Sequence, residues 1–464
     1  MKKAIGAAIA TALLAGCGGD SAESGLDENP SAAERGYSYP EAPPTQSGPL
    51  APGVQGDLAR LVGAAAAGQV DPEALEAIAA SGDARLAWTI SDLLRFTQAG
   101  ASEDDLVAAF ERLTEVEPSE DPAFGQSAWL SVTNHLIAWD LPAAPGYRKQ
   151  KAKLFVALEP GWRPFFSDAS SEIDWRLISW GGVLIDDRPP GDKRLCPEGC
   201  IPALDDPVLT PAEEGDWYPD DRTVFGLVVG GEAVAFPKNV MEVHELVNLS
   251  IGGRRIGIPY CTLCGSAQAY LLDSLPARFR PPVLRTSGLL SRSNKVMYDL
   301  LTESVFDTFT GQALSGPLHD AQVRLDQISV VASSWGEWKR AHPGTRIVAR
   351  DGGIGQRYPA DPLGGRDDSG PIFPIGDVDP RLAVQTDVVG VISPAGRALA
   401  FPAEAARTAL GVGEEVTLAG VELFLDGGGL RARTDRGKEL PAHQAFWFAW
   451  SQFHPGTALW AAPG

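Results

Sequence analysis

The chain has 464 residues, of which 60 are acidic and 39 basic, for a formal net charge of −21. A surface this acidic repels phosphate backbones and anionic lipid heads, which excludes nucleic acid as a partner and electrostatic adsorption as a route to a membrane. The length allows two or three domains with a sizeable core.

The N-terminus reads as an export signal. Lys2 and Lys3 precede a short apolar run over residues 4–14, and Leu14-Ala15-Gly16-Cys17 has the form of a lipobox. Residues 1–17 are therefore predicted to be a lipoprotein signal peptide, with cleavage before Cys17 and lipid on that cysteine. The alternative is a soluble signal peptide with a chance cysteine. The lipobox reading places the protein in a bacterial cell envelope, lipid-anchored and facing away from the cytoplasm, with the anchor as its contact with the membrane. Residues 18–55, rich in Gly, Ser, Pro and acidic groups, read as a disordered tether.

Residues 56–145 are predicted to be a small all-α domain of paired antiparallel helices. Its amphipathic runs lie near 72–80, 84–98 and 124–139, and Ser102-Glu103-Asp104-Asp105 opens another like a capping box. His135 reads there as a packed or surface histidine. Beyond about 150 the signals change to short strands at 224–229, 233–236, 255–260 and 267–272, with a helix over 238–247 and an extended run over 299–309. Ser334 and Glu337 mark a further helix start. The fold class is α+β, helices first and then a mainly antiparallel β-rich domain, without the regular βαβ spacing of a doubly wound sheet.

Two segments recur in the same order. Val224-Phe225-Gly226-Leu227-Val228 through Phe236-Pro237 returns as Val388-Val389-Gly390-Val391-Ile392 through Phe401-Pro402, and Trp338-x-x-x-His342-Pro343-Gly344-Thr345 returns as Trp450-x-x-x-His454-Pro455-Gly456-Thr457. The pattern predicts an internal duplication, full over 222–345 and shortened over 386–457, within a degenerate C-terminal region spanning 380–464. The second copy has no cysteine and no counterpart of His244-Glu245, so His342 and His454 read as structural.

Four cysteines remain after Cys17. Cys261 and Cys264 form a Cys-x-x-Cys pair at the end of an apolar strand, with Gly265 behind them, and Cys196 and Cys200 sit in a Pro/Gly loop. Two thiols at this spacing suit thiol–disulfide exchange or one edge of a metal site. In a redox reading Cys261 attacks, Cys264 resolves and His244 takes the proton. In a metal reading all three are ligands, and the soft thiolates favour copper or zinc. A plain Cys261–Cys264 disulfide is the bland alternative, and a local disulfide is favoured for Cys196 and Cys200, with a four-thiol site open. Glu245, Ser287, Asp299 and Glu303 are candidate pocket residues, although strand-end carboxylates more often cap turns. Trp180-Gly181-Gly182 and Trp335 read as core or pocket walls. No Gly-x-Ser-x-Gly elbow, P-loop or dinucleotide fingerprint is present.

The segments ISWGGVLIDDR, IPALDDP, GEAVAFP, HELVN, IGGRRIGIPYCTLC, SGLLSRSNKVMYD, TESVFD, TGQALSGPL and SSWGEWKRAHPGT, spanning roughly 150–350, resemble the bacterial domain-of-unknown-function family 3179. The resemblance implies an exported, often lipidated protein with no established activity. The family's usual Tyr-Cys-Pro-Leu-Cys carries Thr262 here in place of proline. Two function classes remain: a thiol or metal centre, and a non-enzymatic binding or assembly module whose cysteines are staples. The protein or small-molecule partner stays unassigned in both.

Overall fold

The structure is a computed structural model that describes residues 37–97, 101–194, 196, 199–366 and 370–462. Cys17, the signal peptide and the first part of the expected tether lie outside the described residues. Residues 37–50 run along the folded body, where a free tether was expected. Tyr39 packs edge-on to His135 at 5.0 Å, and the Trp139 indole N–H donates to the Pro40 carbonyl at 2.8 Å.

The helical region holds Pro52–Ala65, Pro72–Ala80, Ala87–Phe96, Ala101–Thr114 and Ala128–Ala138, and continues past 145 through Tyr147–Leu158 and Arg163–Ser167. Asp71 and Pro72 start the second helix as a cap and a first-turn proline should, the Asp71 carboxylate accepting from the Ala74 N–H at 3.0 Å. Helical structure outruns the expected boundary because Lys151 breaks the apolar periodicity at a core position. Its ammonium is buried against Asp92 at 2.7 Å and the Tyr147 hydroxyl at 2.9 Å. The helices share one apolar core with Trp180, Leu289, Val296, Tyr298 and Val305 of the β region, so they do not close a core of their own.

Five small, mainly antiparallel sheets follow, disposed as the blades of a propeller. Four of them form two units of the same plan. In the first, the hairpin Thr223–Val229/Glu232–Pro237 leads through helix Lys238–His244 into a meander of Leu246–Ile251, Arg254–Cys261, Ala269–Leu271 and Asp326–Ile328. The chain then returns as Val331–Ser334 antiparallel to the first hairpin strand, crosses helix Trp335–Ala341, and adds Arg346–Val348 parallel to the second. The second unit repeats every step: hairpin Asp387–Ile392/Ala398–Pro402, helix Ala403–Gly411, meander Val416–Leu418 to Glu439–Leu440, return strand Ala442–Phe446, helix Trp447–Phe453, and parallel strand Ala458–Leu459. The second unit looked shortened in sequence because the first carries an insertion between the third and fourth strands of its meander. That insertion contains the hairpin Leu284–Ser291/Asn294–Asp299 and strand Val305–Asp307, which join Ile178–Trp180 as the fifth sheet.

The repeated motifs have a common physical role. The Trp338 ring lies on Gly226 so closely that a Cβ there would sit 2.4 Å from it, and Trp450 covers Gly390 with a corresponding 2.1 Å. Each indole N–H donates to a threonine hydroxyl at 2.9 Å, Trp338 to Thr345 and Trp450 to Thr457. His342 and His454 pack at a tilt against the same rings, with centroids 4.1 Å apart, in keeping with their structural reading. Ser334 caps its helix as expected, accepting from the Glu337 N–H at 3.3 Å. Replacing Gly390 with alanine should destabilise the protein by about 1–3 kcal/mol through overpacking. Gly63→Ala, in a helix with open space around it, should be neutral or stabilising by up to ~1 kcal/mol. Urea unfolding of both variants checks the pair.

Candidate thiol centre

Strand Arg254–Cys261 delivers Cys261 at its end, and a single 3₁₀ turn, Thr262–Cys264, brings Cys264 back beside it. Gly265 closes the turn in the left-handed region, its N–H donating to the Thr262 carbonyl at 3.2 Å. Both thiols are unbridged and buried, Cys261 at 2% exposure and Cys264 at 0%. Each sulfur lies 3.6 Å from the Ser293 carbonyl, which belongs to the tight turn of the inserted hairpin.

The same hairpin supplies a cation. The Lys295 ammonium, on a residue 4% exposed, donates to the Glu245 carbonyl and lies 3.4 Å from the Tyr260 carbonyl and 3.3 Å from the Glu245 carboxylate. Glu245 ends helix Lys238–His244 with φ +50°, and its carboxylate accepts from the Thr262 hydroxyl at 3.2 Å. The residue that departs from the family's proline therefore ties the thiol turn to the carboxylate.

Electrostatics split the two thiols. Burial pushes Cys261 up and so does the Glu245 carboxylate, but the Cys264 thiol, followed by Lys295, outweighs them and holds it below the ordinary thiol range. Burial, followed by the neighbouring Cys261, pushes Cys264 well above it. Burial also lowers Lys295, against the opposing pull of Glu245 and Cys261.

His244 does not join this group. Its Nδ1 faces the Pro202 carbonyl at 2.7 Å and its Nε2 the Tyr358 hydroxyl at 2.8 Å, and burial lowers its pKa to about 4. The backbone reverses at Glu245, so the two neighbours serve opposite sides. Among the described residues, no set of ligand atoms within 4.8 Å of one another unites His244 with the two thiols, or the four thiols together. The expected three-ligand metal site is not assembled.

Three other expected pocket residues serve turns. The Ser287 hydroxyl donates to the Val296 carbonyl at 2.6 Å. The Asp299 carboxylate accepts from the N–H groups of Val283, Leu301 and Thr302 and from the Thr302 hydroxyl, while burial raises its pKa. Glu303 is exposed in the following turn with φ +57°. Asp299 is thus the turn cap that strand-end carboxylates usually are. Lys295 was missed, although a lone lysine in the run NKVMYD is the signal that could have found it: a charge inside an apolar strand must have a buried partner.

Cys196 and Cys200 stand at bridging distance, with Cα atoms 5.3 Å apart, as the local-disulfide reading expects. Their sulfurs and an Asp186 oxygen lie within 4.8 Å of one another. Asp186 is already held by the Arg188 guanidinium at 2.7 and 2.9 Å and by the Ala203 N–H at 2.8 Å.

The fold and site define a two-unit β protein with a helical N-terminal region and a buried dithiol where an inserted sheet meets the first unit. The chain belongs to the family described as protein of unknown function (DUF3179), whose model matches residues 198–434, the whole first unit and the second as far as its third meander strand. No curated protein and no solved structure matches the chain.

Replacing Lys295 with methionine should raise the Cys261 pKa by about one unit or more, because a neighbouring positive charge is removed. The pH dependence of ultraviolet thiolate absorbance reads this shift. Alkylation of the chain unfolded without reductant should label Cys261 and Cys264 and spare Cys196 and Cys200.

Proposed function

We propose that the protein is a lipid-anchored cell-envelope protein whose Cys261–Cys264 pair cycles between dithiol and disulfide. The observation that carries this reading is a pair of buried, unbridged thiols one turn apart, both 3.6 Å from the Ser293 carbonyl and beside the Lys295–Glu245 ion pair. Among the described residues no third ligand atom joins the two thiols, which favours redox chemistry over copper or zinc binding at this place. The Lys295–Glu245 pair takes the place that the sequence assigned to His244, as the charged groups beside the thiols. Cys261 is the attacking sulfur and Cys264 the resolving one. In exchange with an external disulfide, the Cys261 thiolate forms a mixed disulfide and expels one thiolate. Cys264 then attacks Cys261, expels the second and closes the bridge, its own proton leaving with the departing thiolates.

Anchoring through Cys17 rests on the basic start, the short apolar run and the LAGC sequence. No helix among the described residues is long and apolar enough to cross a membrane. The alternative, a binding module stapled by its cysteines, draws on the Cys196–Cys200 pair.

Equilibration of the purified full chain in dithiol–disulfide buffers, followed by mass mapping, tests the redox reading. A Cys261–Cys264 bridge that forms and reopens reversibly is expected. A pair that stays reduced at every poise, or that retains stoichiometric metal, would refute it. For the anchor, Cys17→Ser should move the protein from the membrane fraction to the soluble exported fraction.

A further inference from the structure

A cleft lies where the helical region meets the fifth sheet. Its polar lining is Asp92 and Arg95 of helix Ala87–Phe96, Lys151 of helix Tyr147–Leu158, Arg176, Ser179 of strand Ile178–Trp180, and Arg292 in the turn of the inserted hairpin. Four of these side chains are cations and one is a carboxylate, and their charges do not cancel. Lys151 pairs with Asp92 at 2.7 Å. Arg176 reaches Asp174 at 2.7 Å and Asp140 at 2.8 Å. Arg95 and Arg292 are left over.

Arg95 donates its Nε–H to the Trp180 carbonyl at 2.7 Å, and Arg292 donates from one terminal nitrogen to the Ile375 carbonyl at 2.8 Å. Neither guanidinium has a carboxylate in an ion pair among the described residues. The Trp129, Trp180 and Phe373 rings lie 4.4, 5.3 and 5.3 Å from the Arg95 guanidinium carbon; they attract the cation but supply no net charge. Burial pushes Arg95 down to about 10, and lowers Arg292 against the weaker pull of Asp377, Asp140 and Asp174. A desolvated cation is costly until an opposite charge meets it.

The donors that remain describe the missing partner. The terminal nitrogens of Arg95 have no acceptor among the described residues, and the Ser179 hydroxyl is buried in the cleft lining without a hydrogen-bond partner. The other two hydroxyls in the lining are spent. Thr133 donates to the Trp129 carbonyl at 2.6 Å, which leaves Ser91 to donate to Thr133 at 2.8 Å. The centre of a water-sized sphere has about 10 Å³ to occupy here, enough for one such guest. Sulfate and phosphate exceed that space, and the Asp92 carboxylate on the wall opposes a double negative charge.

We propose that this cleft binds a compact monovalent anion, chloride or the carboxylate group of a small acid, held by Arg95, Arg292 and Ser179. The anion is the counter-ion that the two guanidinium groups lack. It joins helix Ala87–Phe96, strand Ile178–Trp180 and the turn of the inserted hairpin, and so clamps the helical region to the fifth sheet. The net charge of −21 repels anions at long range, so the affinity comes from these local donors. The site uses neither Cys261 nor Cys264 and is independent of the redox reading.

The test follows thermal unfolding of the full chain at constant ionic strength, as sodium isethionate, whose sulfonate is too large for the space, is replaced by sodium chloride or sodium formate. One or both should raise the midpoint by several degrees along a saturating curve, because a ligand bound only by the native state stabilises it. Arg95→Gln and Arg292→Gln should each weaken the apparent affinity about tenfold or more, as expected for lost hydrogen bonds to a charged group. Arg357→Gln, which removes the same charge from the exposed surface, should leave the affinity unchanged. Crystals of the unaltered chain soaked in sodium bromide or sodium formate should place the anion between Arg95, Arg292 and Ser179, a readout that holds even where a variant does not fold. A response to chloride and bromide identifies a halide site, and a response to formate alone identifies a carboxylate site. The inference is overturned by a midpoint that neither anion raises in a saturable way, by unchanged affinity in a folded Arg95→Gln protein, or by soaked crystals with neither anion in the cleft.

Discussion

Each β unit depends on one contact, a tryptophan ring laid flat on a strand glycine. Trp338 on Gly226 and Trp450 on Gly390 bring the helix after the return strand down onto the first hairpin strand, closer than any Cβ would permit. The indole N–H would be a buried orphan without the threonine that follows the Pro-Gly turn, and the histidine packs at a tilt against the same ring. Trp, His, Pro-Gly and Thr therefore recur as one device. The units also brace each other. His342 of the first lies 2.7 Å from Asp426 of the second, and the Val330 N–H donates to the Ala442 carbonyl at 2.9 Å.

This frame explains why the thiol centre occurs once. The turn after the second meander strand holds Cys261 and Cys264 in the first unit, while the matching turn in the second is Gly427-Gly428, packed against Trp338 and Glu337. A dithiol alone would be an inert buried pair. The insertion in the first meander brings the Ser293 carbonyl and Lys295 against the sulfurs, and through its fifth sheet it shares a core with the helical region.

Two buried lysines show how the protein handles charge away from water. Lys151 meets Asp92 and the Tyr147 hydroxyl at 2.7 and 2.9 Å and links two helices. Lys295 meets Glu245 and two carbonyls, and its ammonium acts on Cys261 as well. Desolvating an ammonium costs several kcal/mol unless partners of good geometry offset it. Lys151 has all its contacts within the scaffold, whereas Lys295 directs part of its field at a reactive atom.

Local patterning was enough to read much of this protein. Alternation and turn residues located the strands around 224–229, 233–236 and 255–260 to within a residue or so, because one buried face imposes its period on the chain. The repeated Trp-x-x-x-His-Pro-Gly-Thr revealed the two units, and Cys-x-x-Cys marked the place of the site. What local pattern could not reveal was which distant residues meet. His244 and Glu245 are adjacent in sequence, yet a backbone reversal with positive φ turns one toward Pro202 and Tyr358 and the other toward the thiols. Lys295, thirty-odd positions away, arrives only because an inserted hairpin folds back over the first meander. Periodicity records which face of an element is buried; the partner across that face, and hence the protonation of a thiol, is decided by tertiary packing over long sequence separations.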